Sequence, residues 1–359
     1  MDVSGRMLVM RSVHRIATLA SIGLLVAAAA AGRGQRGLAA NAQADAVARI
    51  VAAAQGVLTT LDEAGRAKVQ FPFGGPQKSR WSNLPSPMFQ RTGLRLADLA
   101  PTERAAVMTL LSTALSRDGY RKVVDIMRGD EVLRTTQASG GAGRGGGRGP
   151  TFGENEYYLA FVGTPSATAP WMLQFGGHHL AINLTLAGSQ ATMAPSLPAA
   201  QPATYTFEGR TVRPLGNEND KAFALINALD ASQRAQAILG YRVADLVLGP
   251  GQDGRLIQPE GIRASALAAA QQTMLMELVR EWAGIMSDAF AEPRMAEIKT
   301  NLANTYFAWS GPTTNGSAAY FRVQGPTLVV EYAPQNSVDH IHTIYRDPTN
   351  DYGAKYTTK

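Results

Sequence analysis

No cysteine occurs in the 359 residues. Disulfides, thiolate zinc sites and iron–sulfur clusters are therefore excluded, and any metal must be held by nitrogen and oxygen. Charged residues are sparse at 17% and aromatics stand at 7%, while 45% are apolar. That balance belongs to a chain that buries a core rather than a disordered one. The net charge of +6 forms no Lys/Arg stripe interleaved with aromatics, which speaks against nucleic-acid binding. His-Glu-x-x-His, Gly-x-Ser-x-Gly and P-loop signatures are also missing, so the familiar protease, α/β-hydrolase and NTPase chemistries find no support.

Long apolar runs are lacking too, with one exception. Ile16 to Ala31 is apolar for 16 residues, short of the roughly 20 that a spanning helix needs. Arg6, Arg11 and Arg15 precede or open it, so Met1 to Ala31 (1–31) reads as a signal peptide, with small-residue cleavage sites near Ala29–Ala31 or Ala39–Ala42. Removing it takes three arginines and Asp2, leaving 6 − 2 = +4. The reading implies export, to a periplasmic or extracellular location, and no membrane span after the signal is removed. Residues 32–64 then form a tail and a helix, and 65–359 a single domain.

Within that domain the period of the apolar residues changes several times. Val47, Ile50, Val51, Leu58 and Leu61 recur at helical spacing, as do Val107, Leu110, Leu111, Ala114 and Leu115 after a Pro101-Thr102-Glu103 start. Residues 138–150 form a Gly/Arg-rich, flexible loop. Its Gly141-x-Gly143-x-x-Gly146 matches a dinucleotide fingerprint only formally, because no strand precedes it and no apolar helix follows. Strands are predicted over 156–162 and 171–175 and from His178 to Leu186, then a short pair around Glu208-Gly209. Helices follow over 219–229 and 231–239, with the longest predicted over 262–290. The last section holds a hairpin at Gln324-Gly325-Pro326-Thr327 and then the segment His340-Ile341-His342. No internal repeat is evident. The order predicts an α+β fold, a mainly antiparallel sheet built from central and C-terminal strands and packed with several helices.

Histidine is the scarce residue that matters. There are five; His14 lies in the leader, and the rest form two pairs, His178-His179 and His340-x-His342. On a strand, His340 and His342 share a face. In a continuous strand His178 and His179 point to opposite faces, so one of them at most joins the other pair unless Gly176-Gly177 makes a bulge. The candidate metal ligands are His178, His179, His340 and His342. Glu331 is a candidate base, Arg346 a candidate group for a substrate carboxylate or phosphate, and Asp339, Asp347 and Asp351 candidate orienting partners.

The chain also resembles a known family, domain of unknown function 3500, over roughly residues 65 to 355. The resemblance rests on Arg91-Thr92-Gly93-Leu94, Leu115-Ser116-Arg117-Asp118-Gly119-Tyr120, Glu156-Tyr157-Tyr158 and Gly177-His178-His179-Leu180. It continues in Pro259-Glu260-Gly261-Ile262, Glu331-Tyr332, His340-Ile341-His342 and Arg346-Asp347-Pro348 through Asn350-Asp351-Tyr352-Gly353. It implies one fold unit and these motifs, but no reaction. Gly188 to Pro202, read as loop, departs from the compact turn that the resemblance implies.

Imidazoles clustered on β segments suit a metal-dependent enzyme, with hydrolysis at zinc as the leading expectation and an unknown small-molecule substrate. The same ligands fit copper or iron, which would make a redox protein. The third expectation is a non-catalytic exported protein that binds a small ligand or is structural.

Overall fold

The computed structural model describes residues 40–139, 149–335 and 337–357. The signal reading and nearly all of the Gly/Arg-rich stretch lie outside them. Among the described residues no helix is long and apolar enough to cross a membrane.

The fold is α+β, with mostly antiparallel strands, and it is built from one unit used twice. In the first unit, helix α1 (40–60) leads to α2 (Glu63–Val69), whose N-cap Asp62 accepts a hydrogen bond from the Gly65 amide. Short strands β1 (Gln70–Phe71) and β2 (Leu94–Arg95) precede helices α3 (Pro101–Ala114) and α4 (Arg117–Ser139). Then come β3 (Tyr158–Val162), β4 (Trp171–Gly177), β5 (Leu180–Ala187) and β6 (Gln190–Thr192). A connecting stretch carries β7 (Leu197–Pro198) and the hairpin β8 (Tyr205–Phe207) and β9 (Arg210–Val212). The second unit repeats the series as α5 (Gly216–Ala228), α6 (Ala231–Ala237), β10 (Ile262–Arg263), α7 (Ala269–Ala283), α8 (Asp288–Thr300), β11 (Tyr306–Ser310), β12 (Tyr320–Gly325), β13 (Leu328–Pro334) and β14 (Ile341–Arg346). A short α9 (Ala354–Thr357) follows.

The correspondence extends to register. Tyr158 pairs with Gly176 and Gly177 with Leu180; Tyr306 pairs with Gln324 and Gly325 with Leu328. Leu94 faces Leu159 as Ile262 faces Phe307. Gly93 and Gly261 both have positive φ, 101° and 91°, and a Cβ on either would stand 2.2 Å from a carbonyl oxygen, of Leu159 or of Phe307. Helices α3 and α7 start alike, with the Glu103 and Gln271 side chains accepting from the Ala100 and Ala268 amides, the half of a capping box that an alanine N-cap permits. The expectation of no repeat is thus corrected.

Each unit has its own core. Trp171, Phe161, Phe175 and Leu110 anchor the first; Trp282, Trp309, Phe307 and Phe321 anchor the second. Complete burial of such side chains stabilises by about 1.5–3 kcal/mol each. The units are joined by backbone pairing in two regions. At one, the α3–α4 turn pairs with the α7–α8 turn, Ser116 N donating to Ile285 O and Ser287 N to Ala114 O. At the other, the segment around β7 pairs with β5 of the first sheet, while Ser196 and Ala200 bridge to Tyr345 and Ile341 of β14. The stretch read as a loop therefore joins the two sheets. The predicted helix 262–290 also divides: Gly284 ends α7, and α8 begins only at Asp288.

Candidate metal centre

His178 and His179 are the two residues of the tight β4–β5 turn, since Gly177 and Leu180 close the ladder on either side. Of the two, only the second, His179, takes positive φ, at 61°, the pattern of a type II turn and one that a non-glycine residue rarely adopts. The expected strand start is therefore a turn, and the turn separates the two rings. His179 is aimed across the junction at β14, its amide tied to Asn83 O and its carbonyl to the Ala199 amide. His178 is turned to α4, where Nδ1 lies 2.6 Å from Asp130 Oδ1. The two rings still touch, with centroids 3.7 Å apart and planes tilted by 30°.

His340 and His342 reach the same point from the second unit, on the shared face that alternation predicts. His179 Nε2 lies 2.9 Å from His340 Nε2, which lies 3.1 Å from His342 Nε2. One ligand nitrogen from each of the three falls within a 4.8 Å span. A metal bonded at about 2.0–2.1 Å places its donors roughly 2.9–3.4 Å apart, from right-angled to tetrahedral geometry, and the His179–His340 and His340–His342 separations both fall in that range. His179 is buried, while His340 and His342 are partly open to solvent.

Hydrogen bonding alone satisfies these nitrogens poorly. Each imidazole nitrogen offers either one proton or one lone pair. His340 Nε2 has two imidazole nitrogens in contact, and Asn83 Nδ2 also approaches His342 Nε2 at 3.2 Å. Either one proton is shared between two acceptors, or two donors converge on one lone pair. His179 Nδ1 is buried with no partner, a cost of about 1–3 kcal/mol. Burial, reinforced by the neighbouring imidazoles, pushes the His179 pKa well below its usual value and that of His340 down to about 4. Both rings are then neutral at pH 7, the form that ligates metals. Asp245 Oδ1 lies 3.3 Å from His342 Nδ1. Burial raises its pKa, but the His342 contact and the Leu246 amide outweigh that and hold it below the usual carboxylate value.

Glu331 and Arg346 lie on the same sheet face but are committed elsewhere. The Glu331 carboxylate is fully buried and accepts from the Val247 and Leu248 amides and the Tyr320 hydroxyl. Arg346 donates to Leu248 O and Gly249 O and pairs with Asp253 and Asp351. Together they pin the loop that brings Asp245 to His342. The aspartates proposed as orienting partners have other work: Asp339 accepts from the Ala203 amide, Asp347 pairs with Arg294 and Asp351 with Arg346. Asn83, Asp130 and Asp245 take those places around the histidines. They were not legible in the sequence, because each arrives from a loop or helix distant along the chain.

The profile of the family described as "Protein of unknown function (DUF3500)" matches residues 43–354. No curated protein and no solved structure matches the chain.

Proposed function

The chain belongs to this DUF3500 family, and we propose that it is an exported metal-dependent hydrolase centred on His179, His340 and His342. The observation that carries the reading is the meeting of three Nε2 atoms at 2.9 and 3.1 Å, a spacing that their protons cannot satisfy but one cation can. Both units contribute, His179 from a turn of the first, and His340 and His342 from the start of the last strand of the second, His340 directly preceding it. Asp245 would fix the tautomer of His342, as carboxylates do behind metal-bound histidines. Zinc supplies Lewis acidity and makes water ionisable near neutral pH, and three imidazoles leave it a position for substrate.

The short nitrogen spacing supports a second reading, since about 2.9–3.0 Å is what right-angled donors give at this bond length. An octahedral ion such as iron would then occupy the centre, with redox chemistry. Elemental analysis of protein purified without chelator separates these readings. We expect one zinc per chain, hydrolysis of activated ester or phosphoester probes that chelation abolishes and zinc restores, and loss of both metal and turnover in His340→Ala/His342→Ala. Iron with a spin-resonance signal would favour the second reading. Absence of any stoichiometric metal, with unchanged behaviour of the double variant, would overturn both.

A further inference from the structure

In each unit a loop meets a guanidinium on the polar side of the sheet, buried in the second unit and half-buried in the first. In the second unit it is Arg322 of β12, only 3% exposed, and the chain provides its counter-ion: Glu260 lies 2.7 Å away and also accepts from Tyr241. Glu260 corresponds to Thr92 of the first unit, both directly preceding the positive-φ glycine, and Arg322 corresponds by strand register to Gln174. The charge has moved in the first unit. Gln174 bonds to Gln77 and Asn183, and the cation is Arg91, next to Thr92. Among the described residues no carboxylate pairs with Arg91. Its Nη2 donates to three carbonyls, Ser82 O, Leu84 O and Gly177 O, at 2.7–2.8 Å. Its Nε and Nη1 donate to none of the described residues, and neither is sealed from solvent.

Arg91 borders a small open recess, lined also by Gln77, Arg80, Thr92, Tyr158 and Gln174, whose volume of ≈ 30 Å³ admits the head of a small anion and not a whole ligand. Phe89 holds a second cation nearby, its ring centroid 5.6 Å from the Arg80 guanidinium and 5.5 Å from that of Arg91. A half-buried cation without a counter-ion bears a cost of desolvation, and the Nε and Nη1 protons left over can each donate to a carboxylate oxygen.

We propose that this recess binds a small carboxylate-bearing ligand, whose carboxylate pairs with Arg91 as Glu260 pairs with Arg322 in the second unit. The second unit indicates the occupant, because there the chain itself supplies a carboxylate to the buried guanidinium. The inference does not rest on the metal reading.

The test is calorimetric titration of the exported chain with acetate, malonate and benzoate at constant ionic strength, with inorganic phosphate and chloride as controls. Saturable carboxylate binding is expected, with a matching rise in Tm. Arg91→Met should weaken it at least about tenfold, the scale of one lost charged hydrogen bond. Thr92→Glu places a carboxylate where Glu260 stands; it should abolish binding while leaving the unliganded Tm unchanged or higher, which guards against an Arg91→Met protein that does not fold. Binding should persist in His340→Ala/His342→Ala, so failure of the metal reading and failure of this one are separable. No saturable carboxylate binding, binding of phosphate alone, or unchanged binding in both recess variants would overturn the proposal.

Discussion

The two units share a backbone plan but not a chemistry. Superposing them by register sets His179 against Thr327, His340 against Gln190 and His342 against Thr192. None of the first unit's end-strand positions or the second unit's turn positions holds an imidazole, so a molecule with two equivalent frames has one histidine cluster. The frame alone therefore does not make the site. It places a two-residue turn and a terminal strand where they can meet a partner unit, and substitution decides which meeting carries function.

Removing side chains at matched positions should affect the two units most unequally. His179→Gly should lose metal binding outright, while Gln190→Ala/Thr192→Ala should keep full metal content and turnover. If the Gln190/Thr192 variant lost metal as well, the two ends would be working as one site and the asymmetry would be false. Next in size is a change that should affect both units equally. Gly93→Ala and Gly261→Ala each force a Cβ to 2.2 Å from a carbonyl at positive φ. Each should cost about 3 kcal/mol in urea unfolding, combining left-handed strain with overpacking. Costs that differed by more than about 2 kcal/mol would mean that the frames are not equivalent.

Much of each unit was legible locally. Alternation put His340 and His342 on one face, Gly325-Pro326 marked a hairpin, and Pro101-Thr102-Glu103 marked a helix start. The repeat was hidden for a physical reason. Leu61-Asp62 and Leu229-Asp230, Arg66-Ala67 and Arg234-Ala235, and Gly93 and Gly261 all lie 168 residues apart; Gly163 and Gly311, and Leu180 and Leu328, lie 148 apart. The first unit is longer by 168 − 148 = 20 residues between its second long helix and its sheet, so no fixed period exists. What recurs is register, and apolar residues are interchangeable within it. The functional meeting was hidden as well, because the two-residue β7 and the bridges beside it, which hold the two sheets together there, lie in an Ala/Pro/Ser-rich stretch without a strand signature.

A smaller effect contrasts Glu331 with its counterpart Asn183. Glu331→Ala orphans two amides and a hydroxyl, and should cost about 3 kcal/mol and weaken metal binding by freeing the Asp245 loop. Asn183→Ala strands only Gln174 Nε2 and Pro195 O, and should cost about 1–2 kcal/mol without touching metal affinity. Equal metal affinities in the two variants would show that the loop does not support the centre.

Acid should reveal the asymmetry through stability of the metal-free protein. His179 and His340 titrate lower in the folded state than the ordinary 6.5, His340 at about 4. The unfolded chain therefore binds protons first. Their contribution to stability is complete above about pH 6.5 and is lost progressively as pH falls toward 4. Urea midpoints of chelator-treated protein should drop across that window, and less so in His340→Gln. An equal drop in the variant would assign the acid sensitivity to other groups.

The smallest expected effect concerns the turn itself. His179 occupies the left-handed region at φ 61°, whereas Thr327 in the equivalent turn does not. Left-handed conformation costs a non-glycine residue about 1–2 kcal/mol, so the second unit has the relaxed turn and the first holds strain where its imidazole is presented. His179→Gly and His179→Ala remove the same ring, but only glycine relieves the backbone. The glycine variant should be more stable than the alanine variant by about 1 kcal/mol in urea unfolding, while the pair Thr327→Gly and Thr327→Ala should favour alanine. The reversal of sign is the decisive feature. Were glycine disfavoured at both positions, the two turns would be alike, and the strain at His179 would be no part of what distinguishes the unit that presents the histidine.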